Sequence, residues 1–188
     1  MEIYLVRHTA VAAAGLCYGH HDVALAPTFA AEAAAVRARL PAPEQPAAVF
    51  SSPATRCRQL AETFGPVPAC DERLRELHFG AWENRAWDAL PPAELDPWMA
   101  DYVRVAPPGG ETYGQLQGRA VSFLEDLLAA PAPPAVAVVV THGGVVRALL
   151  AHALDLPLAH AFRLNIDFGS CTQLRWAAGR WQVRGVNR

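Results

Sequence analysis

Two histidines stand where short apolar runs of the sequence end. Residues 1–8 read MEIYLVRH, in which an apolar stretch ends in Arg7 and His8, and a later run, AVAVVVTHGG, stops at His142. Such runs are typical of strands buried on both faces of a parallel sheet, and ligands bind beyond the carboxyl ends of these strands. Neutral imidazole is a nucleophile near pH 7, and guanidinium donors match phosphate oxygens. The pattern indicates a phosphate site built around a nucleophilic histidine.

A third basic residue follows another predicted strand. In the segment SSPATR, Ser52 and Pro53 predict the N-cap and the first position of a helix, which places Arg56 in the first helical turns. The guanidinium and the positive end of the helix both favour an anion. After His142, Gly143 lets the backbone approach a ligand and offers an amide at a helix start. We therefore expect this arginine, the histidine and the glycine to bind phosphate, although each segment taken alone is compatible with an ordinary loop or cap.

A carboxylic acid is needed as well. Phosphoryl transfer from an ester requires an acid for the leaving oxygen and later a base for water. The segment LRELHFGAWE supplies Glu76 among apolar neighbours, and we expect this residue to take both roles. Glu83, seven residues later, is the alternative carboxylate, and solvated charges are the alternative interpretation of the segment.

The bulk composition fits one compact domain over residues 1–188. Of the 188 residues, 52% are hydrophobic and 18% are charged, and the formal net charge is −2, so nothing favours a nucleic acid or an anionic membrane as partner. The four cysteines are widely spaced and form no zinc-binding pair, and no apolar stretch is long enough to span a bilayer. We expect a cytoplasmic protein with reduced thiols and with neither metal nor cofactor.

Strand and helix patterns alternate along the chain. They predict an α/β fold with a mostly parallel central sheet, helices on both faces and an antiparallel edge. The predicted strands are EIYLVR, AAVFSS, VPAC and AVAVVV, followed by a terminal hairpin of CTQLRW and WQVRGV. The predicted helices are 27–40, ended by PAPEQP, then a helix from Ser52 to about Gly65, a helix within 109–130 with an apolar face, and 143–154.

An aromatic and proline-rich segment interrupts this alternation. Residues 73–108 predict an insertion with one short helix that covers the site as a lid. We expect Trp82, Trp87 and Trp98 to pack in the core or the lid.

Four segments together match a known family. VRHT, SSPATRCRQLAE, LRELHFGAWEN and VVVTHGG occur in the order and spacing of the histidine phosphatase superfamily, named for its RHG signature, and the chain resembles it over essentially its whole length. The resemblance implies a phosphoglycerate mutase-like fold and in-line attack of His8 on phosphorus to give a phosphohistidine, without a metal. It implies that Arg7, Arg56 and His142 hold the phosphoryl oxygens, while Glu76 protonates the departing alkoxide and then activates water.

Two positions depart from the family pattern. Thr9 stands where most members have glycine, and Ala14 stands where many have an asparagine that contacts phosphate, so one phosphate contact is expected to be lost. The segments GLCYGHHDV and FRLNIDFGSCTQL resemble α-ribazole phosphatase-like members, which act in cobalamin synthesis. Thr9, Tyr18, Gly19 and His20 are therefore candidate substrate contacts, with a solvated loop as the alternative for the histidine.

These observations predict a metal-independent phosphomonoesterase that acts on a small phosphate ester such as α-ribazole 5′-phosphate. A cofactor-dependent phosphoglycerate mutase and a broad-specificity small-molecule phosphatase are the alternatives, and a non-catalytic phospholigand-binding module is a third. The short chain and the missing asparagine argue against the mutase. The sequence leaves open the physiological substrate, formation of a homodimer and the mobility of the insertion.

Overall fold

The computed structural model describes residues 1–40, 48–65 and 67–188. The strands of these residues are β1 (Glu2–Arg7), β2 (Ala48–Ser51), β3 (Ala69–Cys70), β4 (Val136–Thr141), β5 (Cys171–Ala177) and β6 (Arg180–Gly185). Their α-helices are α1 (Phe29–Arg37), α2 (Thr55–Glu62), α3 (Pro92–Ala100), α4 (Tyr113–Ala129) and α5 (Gly143–Ala153). The segment PAPEQP, which was expected to end the first helix, lies outside the described residues.

The strands form one sheet in the order β3-β2-β4-β1-β5-β6. The first four of these positions are joined by parallel pairing, whereas β5 runs antiparallel to β1 and β6 runs antiparallel to β5. The terminal hairpin turns at Ala178 and Gly179, which both have positive φ, 52° and 72°. Two-residue hairpin loops of this kind match the twist of the flanking strands. The predicted mostly parallel sheet with an antiparallel edge is confirmed.

Helices cover both faces of the sheet because β4 is apolar on both sides. Ala137 and Val139 belong to the core that includes α4 and α5, whereas Val138 and Val140 belong to the core that includes α1 and α2. The short apolar run therefore supplies both cores at once, as expected for a central parallel strand. The predicted apolar face of α4 is buried in the first core: Leu116, Ala120, Phe123, Leu124 and Leu127.

The second helix begins later than the sequence suggested. Ser52 and Pro53 were expected to start it, but α2 begins at Thr55, and its N-cap is Ala54, whose extended backbone (ψ 135°) carries no capping side chain. The Ser52 hydroxyl lies two residues before this N-cap, accepts from the amide of Ala54 at 3.4 Å and lies 2.8 Å from Nε2 of His142. The predicted cap was wrong because the helix begins two residues later than expected, which leaves Ser52 outside it and beside His142.

The insertion between β3 and α4 holds more local structure than one helix. It contains α3 and three single turns of 3₁₀ helix, at Glu72–Leu74, Gly80–Trp82 and Trp87–Ala89. The rings of Trp82 and Trp98 lie 5.7 Å apart at 85°, and both contribute to the core under α4 and α5. Edge-to-face packing of this kind gives the insertion an apolar base.

Two further sequence expectations concern thiols and membranes. Cys17, Cys57, Cys70 and Cys171 all carry free thiols. Within the described ranges, no helix has the length and apolar character needed to cross a membrane.

Candidate active site

The carboxyl ends of β1 and β4 bring the two sequence-predicted histidines together. Arg7 pairs with Thr141 in parallel register, so His8 and His142 leave the sheet at the same edge. Their ring centroids are 5.2 Å apart with the planes inclined by 68°. Both residues are buried, with exposed fractions of 2% and 0%. A shared strand edge thus explains why residues 134 positions apart in the chain meet.

The backbone fixes the orientation of the His8 ring. Nδ1 lies 2.8 Å from the carbonyl oxygen of Thr9. A carbonyl oxygen only accepts hydrogen bonds, so Nδ1 carries the proton and Nε2 keeps its lone pair. Burial, together with the positive charge of Arg56, holds the pKa of His8 well below its ordinary value of 6.5. The ring is neutral near pH 7, and Nε2 is the nitrogen that can act as a nucleophile.

A loop that precedes α1 positions the guanidinium of Arg56. The residue is fully buried, Nη2 donates to the carbonyl oxygen of Gly19 at 2.6 Å, and Nη1 donates to that of His21 at 3.1 Å. Asp22 lies 3.5 Å from Nη1. Nε is buried and has no hydrogen-bond partner among the described residues. The loop therefore fixes the outer nitrogens and leaves Nε as a buried donor for an anion.

Arg7 is held in a similar way from the other side. Its Nη1 donates to the carbonyl oxygen of Ile166 at 2.5 Å, and its Cζ lies 3.7 Å from the centroid of the Phe168 ring. The same phenyl ring lies 5.4 Å from the ring of His8, centroid to centroid. Nε of Arg7 is also buried and lacks a partner in the described part of the chain. Two buried guanidinium donors without acceptors indicate a position for an oxyanion.

His142 contributes from β4, directly before α5. Its Nε2 lies 2.8 Å from the hydroxyl of Ser52 and 3.5 Å from the thiol of Cys57. Burial lowers the pKa of His142 well below 6.5, and the charge of Arg56 acts in the same direction. Gly143 is the first residue of α5, where backbone amides lack intrahelical acceptors. This helix start adds neutral donors to the two arginines.

Glu76 reaches the same helix start from the insertion. Its Oε2 accepts from the backbone amide of Gly144 at 3.0 Å, and its Oε1 accepts from the amide of Leu77 at 2.9 Å. A Cβ on Gly144 would lie 2.2 Å from Oε1, so only glycine leaves room for the carboxylate there. Arg119 of α4 steadies the backbone by donating to the carbonyl oxygens of Arg73, Arg75 and Glu76, at 2.7, 2.6 and 2.9 Å.

Glu83, the alternative carboxylate, has a different environment. Its oxygens accept from the backbone amides of His20 at 2.9 Å, Phe79 at 3.1 Å and His21. Burial alone would raise the pKa of Glu83, but hydrogen bonds from the three amides outweigh it and leave the pKa lowered. A carboxylate held in its charged form is suited to joining the loop to the insertion and poorly suited to donating a proton.

The candidate substrate contacts all lie in this region. Thr9 is fully buried with its hydroxyl oxygen unpartnered among the described residues, and the ring centroid of Tyr18 lies 5.3 Å from Cζ of Arg56. Burial raises the pKa of Tyr18. Gly19 is buried so tightly that a Cβ would lie 1.8 Å from a backbone oxygen of the insertion. His20 stacks on His78 with centroids 4.5 Å apart and is partly buried. Contact of these residues with substrate stays a prediction.

A comparison with family models decides which kind of protein this is. A model described as the histidine phosphatase superfamily (branch 1) matches residues 3–188. The chain belongs to this superfamily.

Relatives of this histidine phosphatase carry phosphatase names. It is 33% identical over 159 residues to a protein of Arabidopsis thaliana named metal-independent phosphoserine phosphatase, covering 79% of this chain and 66% of the plant protein. It is also 33% identical over 162 residues to the glucosyl-3-phosphoglycerate phosphatase of Mycobacterium tuberculosis, covering 74% of this chain and 72% of the relative. These names are consistent with a phosphoric monoester hydrolase.

Solved structures of similar proteins share the fold. YhfR of Bacillus stearothermophilus aligns with a TM-score of 0.86 at 28% identity, covering 97% of this chain and 95% of the other. A mycobacterial glucosyl-3-phosphoglycerate phosphatase, solved as a complex with VO3, aligns at 0.84 and 30% identity over 99% and 98%. The α-ribazole phosphatase of Shigella flexneri aligns at 0.88 over 100% and 96%, but at 22% identity this likeness shows the fold alone.

Two residues beside the candidate phosphate site were not expected from the sequence. Phe168, which lies against both Arg7 and His8, belongs to a loop whose sequence carries no signal of its position. Arg147 carried a usable signal, because residues four apart on a helix share a face and it lies four residues after Gly143. In the described ranges no group of three or more His, Cys, Asp or Glu side chains is arranged to hold a metal ion.

Proposed function

We propose that this histidine phosphatase hydrolyses small phosphate monoesters through a phosphohistidine on His8 and needs no metal ion. The observation that carries the proposal is the orientation of the His8 ring. The hydrogen bond from Nδ1 to Thr9 leaves the lone pair on Nε2, and the lowered pKa keeps the ring neutral. The buried Nε atoms of Arg7 and Arg56 supply positive charge at the place where a phosphoryl group would lie.

In the first step, Nε2 of His8 attacks phosphorus in line with the ester oxygen. The P–N bond forms as the P–O bond breaks, and a proton on Glu76 passes to the departing alkoxide. The two arginines, His142 and the amide of Gly143 bind the non-bridging oxygens. Their charges and dipoles are fixed before the reaction begins, so stabilising the transition state costs little reorganisation.

In the second step, water takes the position of the released alcohol. The Glu76 carboxylate accepts a proton from the water while its oxygen attacks phosphorus. The P–N bond breaks, its electron pair returns to Nε2 of His8, and inorganic phosphate leaves. The residue that donated a proton in the first step has then recovered it, and the cycle is balanced without a further reactant.

Two kinds of observation bear on the identity of the substrate. The sequence resemblance favours α-ribazole 5′-phosphate, and the aromatic side chains beside Glu76, among them Trp87 and Trp98, suit a flat ring. The relatives that match by sequence are named for phosphoserine and glucosyl-3-phosphoglycerate. Comparing kcat/KM for α-ribazole 5′-phosphate and these two esters would rank the candidates.

Labelling of the enzyme tests the mechanism. Rapid quench with a ³²P-labelled ester is expected to give a burst of labelled protein that is stable in alkali and labile in acid, the behaviour of a phosphohistidine. His8→Ala should abolish the label, whereas His152→Ala, which changes an exposed histidine of α5, should leave it unchanged. Label on serine or aspartate would contradict the proposal.

A chelator and a transition-state analogue test metal independence and the phosphoryl-transfer geometry. EDTA should leave the rate unchanged, because the arginine side chains supply the charge neutralisation that Mg²⁺ gives elsewhere. Vanadate adopts the five-coordinate geometry of phosphoryl transfer and should inhibit strongly. Loss of activity with EDTA and its recovery with Mg²⁺ would overturn the metal-independent mechanism. A mutase would instead interconvert 2- and 3-phosphoglycerate and release little phosphate.

A further inference from the structure

One arginine beside the proposed phosphate position takes no part in the mechanism above. Arg147 lies on α5, and a Cβ built on Gly143 would lie 3.0 Å from its Nη1 and 3.2 Å from Nε of Arg7. The ends of the two arginine side chains therefore converge over the start of α5. Arg147 also lines the cavity beside Glu76, so it lies between the phosphoryl position and the space open to the rest of a substrate.

On the basis of the proposed function, we propose that Arg147 binds a carboxylate on the alcohol portion of the substrate. The preferred substrates are then phosphate esters of small hydroxy acids. The scissile phosphate occupies the position between Arg7 and Arg56, and the carboxylate lies a few bonds away against Arg147.

Arg147 forms no ion pair within the described residues, although the exposed carboxylate of Asp167 interacts with its charge at longer range. No carboxylate oxygen there lies within ion-pair distance of its guanidinium. Glu76 lines the same cavity, but its two oxygens accept from the amides of Leu77 and Gly144. The nearby guanidinium of Arg7 adds like charge, which a second negative group on the substrate would offset.

The side chain is held in a way that leaves its outer nitrogens free to bind. Nε donates to the carbonyl oxygen of Leu164 at 2.9 Å, and Cζ lies 5.2 Å from the ring centroid of Phe162. These contacts fix the guanidinium plane, while Nη1 and Nη2 have no hydrogen-bond partner in the described part of the chain. A planar fork of two donors matches a carboxylate, and one guanidinium balances its single charge.

The cavity beside Arg147 has room for the carbon chain that accompanies the carboxylate. Its volume is about 150 Å³, and its walls include Trp98, Tyr102, Tyr113 and Phe162. A cavity of that size holds a group comparable with one benzene ring. A hydroxy acid of three or four carbons fits in this volume. Because α-ribazole 5′-phosphate has no carboxylate, the proposed subsite favours a different substrate class from the one that the sequence resemblance suggested.

Two matched substrate pairs test the assignment. 3-Phosphoglycerate and glycerol 3-phosphate differ by a carboxylate in place of a hydroxymethyl group, and O-phosphoserine differs from O-phosphoethanolamine by one carboxylate. The wild-type enzyme should prefer the carboxylate member of each pair by about 10- to 100-fold in kcat/KM, the range expected for charge-assisted hydrogen bonds. Arg147→Met should bring both ratios close to one, chiefly through KM, and should lower kcat/KM for p-nitrophenyl phosphate, which has no carboxylate, far less than for 3-phosphoglycerate.

Arg163→Met is the matched control, because it removes the same charge from an exposed arginine next to Phe162. It should preserve the ratios, which excludes a general effect of net charge. A merely structural role of Arg147 would lower kcat/KM for all substrates alike, and that result would overturn the assignment, as would a wild-type enzyme that shows no carboxylate preference. Hydrolysis of p-nitrophenyl phosphate by the wild type reports on the proposed phosphatase activity separately. Its absence would refute the proposed function itself.

Discussion

The carboxylate of Glu76 rests on the backbone of Gly144. Oε2 accepts from the glycine amide at 3.0 Å, and the space that a Cβ would need is occupied by Oε1, 2.2 Å away. The proposed proton donor and the start of α5 are therefore in direct contact. Because Gly144 has no side chain, the carboxylate of Glu76 can occupy this position.

This contact predicts that Gly144→Ala separates activity from stability. The new methyl group should displace the flexible end of Glu76 at little cost in unfolding free energy, yet slow hydrolysis of alkyl phosphates by about 10- to 100-fold, part of the usual effect of a general acid. Urea denaturation and kcat/KM would be measured together. Gly118→Ala, at an exposed position of α4 with nothing within 4 Å of the added Cβ, should leave activity unchanged.

Replacing the carboxyl group itself gives a sharper test. Glu76→Gln should slow phosphorylation of the enzyme by an alkyl phosphate by about 10²- to 10⁴-fold, but affect p-nitrophenyl phosphate much less. An alkoxide needs a proton as the bond breaks, whereas p-nitrophenolate leaves nearly unaided. Pre-steady-state measurement should separate the two steps, since dephosphorylation also uses this residue. Equal losses for both esters would contradict the role, and Glu125→Gln on the exposed face of α4 is the control.

Thr9 carries a prediction because its buried hydroxyl has no partner among the described residues. An unpaired buried hydroxyl costs about 1–3 kcal/mol, so Thr9→Val should raise the free energy of unfolding of the ligand-free protein. If the hydroxyl contacts phosphate, the same change should weaken inhibition by inorganic phosphate by several-fold. Unchanged phosphate inhibition would show that the threonine is not a substrate contact.

The buried histidines predict how stability depends on pH. Burial lowers the pKa of His8 in the folded protein below the ordinary 6.5, so the unfolded chain takes up a proton first as pH falls. The free energy of unfolding should therefore decrease below about pH 6.5, and continue to do so until the folded-state pKa is reached. Urea midpoints from pH 7.5 to 5 should fall less steeply in His8→Asn. His152→Asn, at an exposed position, should retain the wild-type slope.

The sequence predicted those parts of the fold that are determined by residues close to one another in the chain. The apolar run of β4 and the apolar face of α4 follow from local periodicity, and the strand ends place His8 beside His142. The start of α2 did not follow, because Ser52 lies before the helix and its hydroxyl contacts His142, 90 positions away in the chain. Tertiary packing determines which partner such a side chain contacts.

The insertion shows the same limit. Its tryptophans indicated that it packs on the core. Its 3₁₀ turns, however, depend on contacts with distant elements, such as the hydrogen bonds from Arg119 to the backbone carbonyl oxygens of Arg73, Arg75 and Glu76. The position of Phe168 against Arg7 likewise depends on how the segment before β5 returns over the sheet edge. No sequence pattern within either segment predicts these tertiary contacts.

Glu83 has a consequence for how the site keeps its dimensions. Its carboxylate accepts from the amides of His20 and His21 on one side and from that of Phe79 on the other. The loop that steadies Arg56 and the insertion that presents Glu76 are thus tied through a single side chain. The distance between the phosphoryl position and the Glu76 carboxylate is therefore held constant. Substrates with different alcohol groups are placed at the same distance from the proton donor.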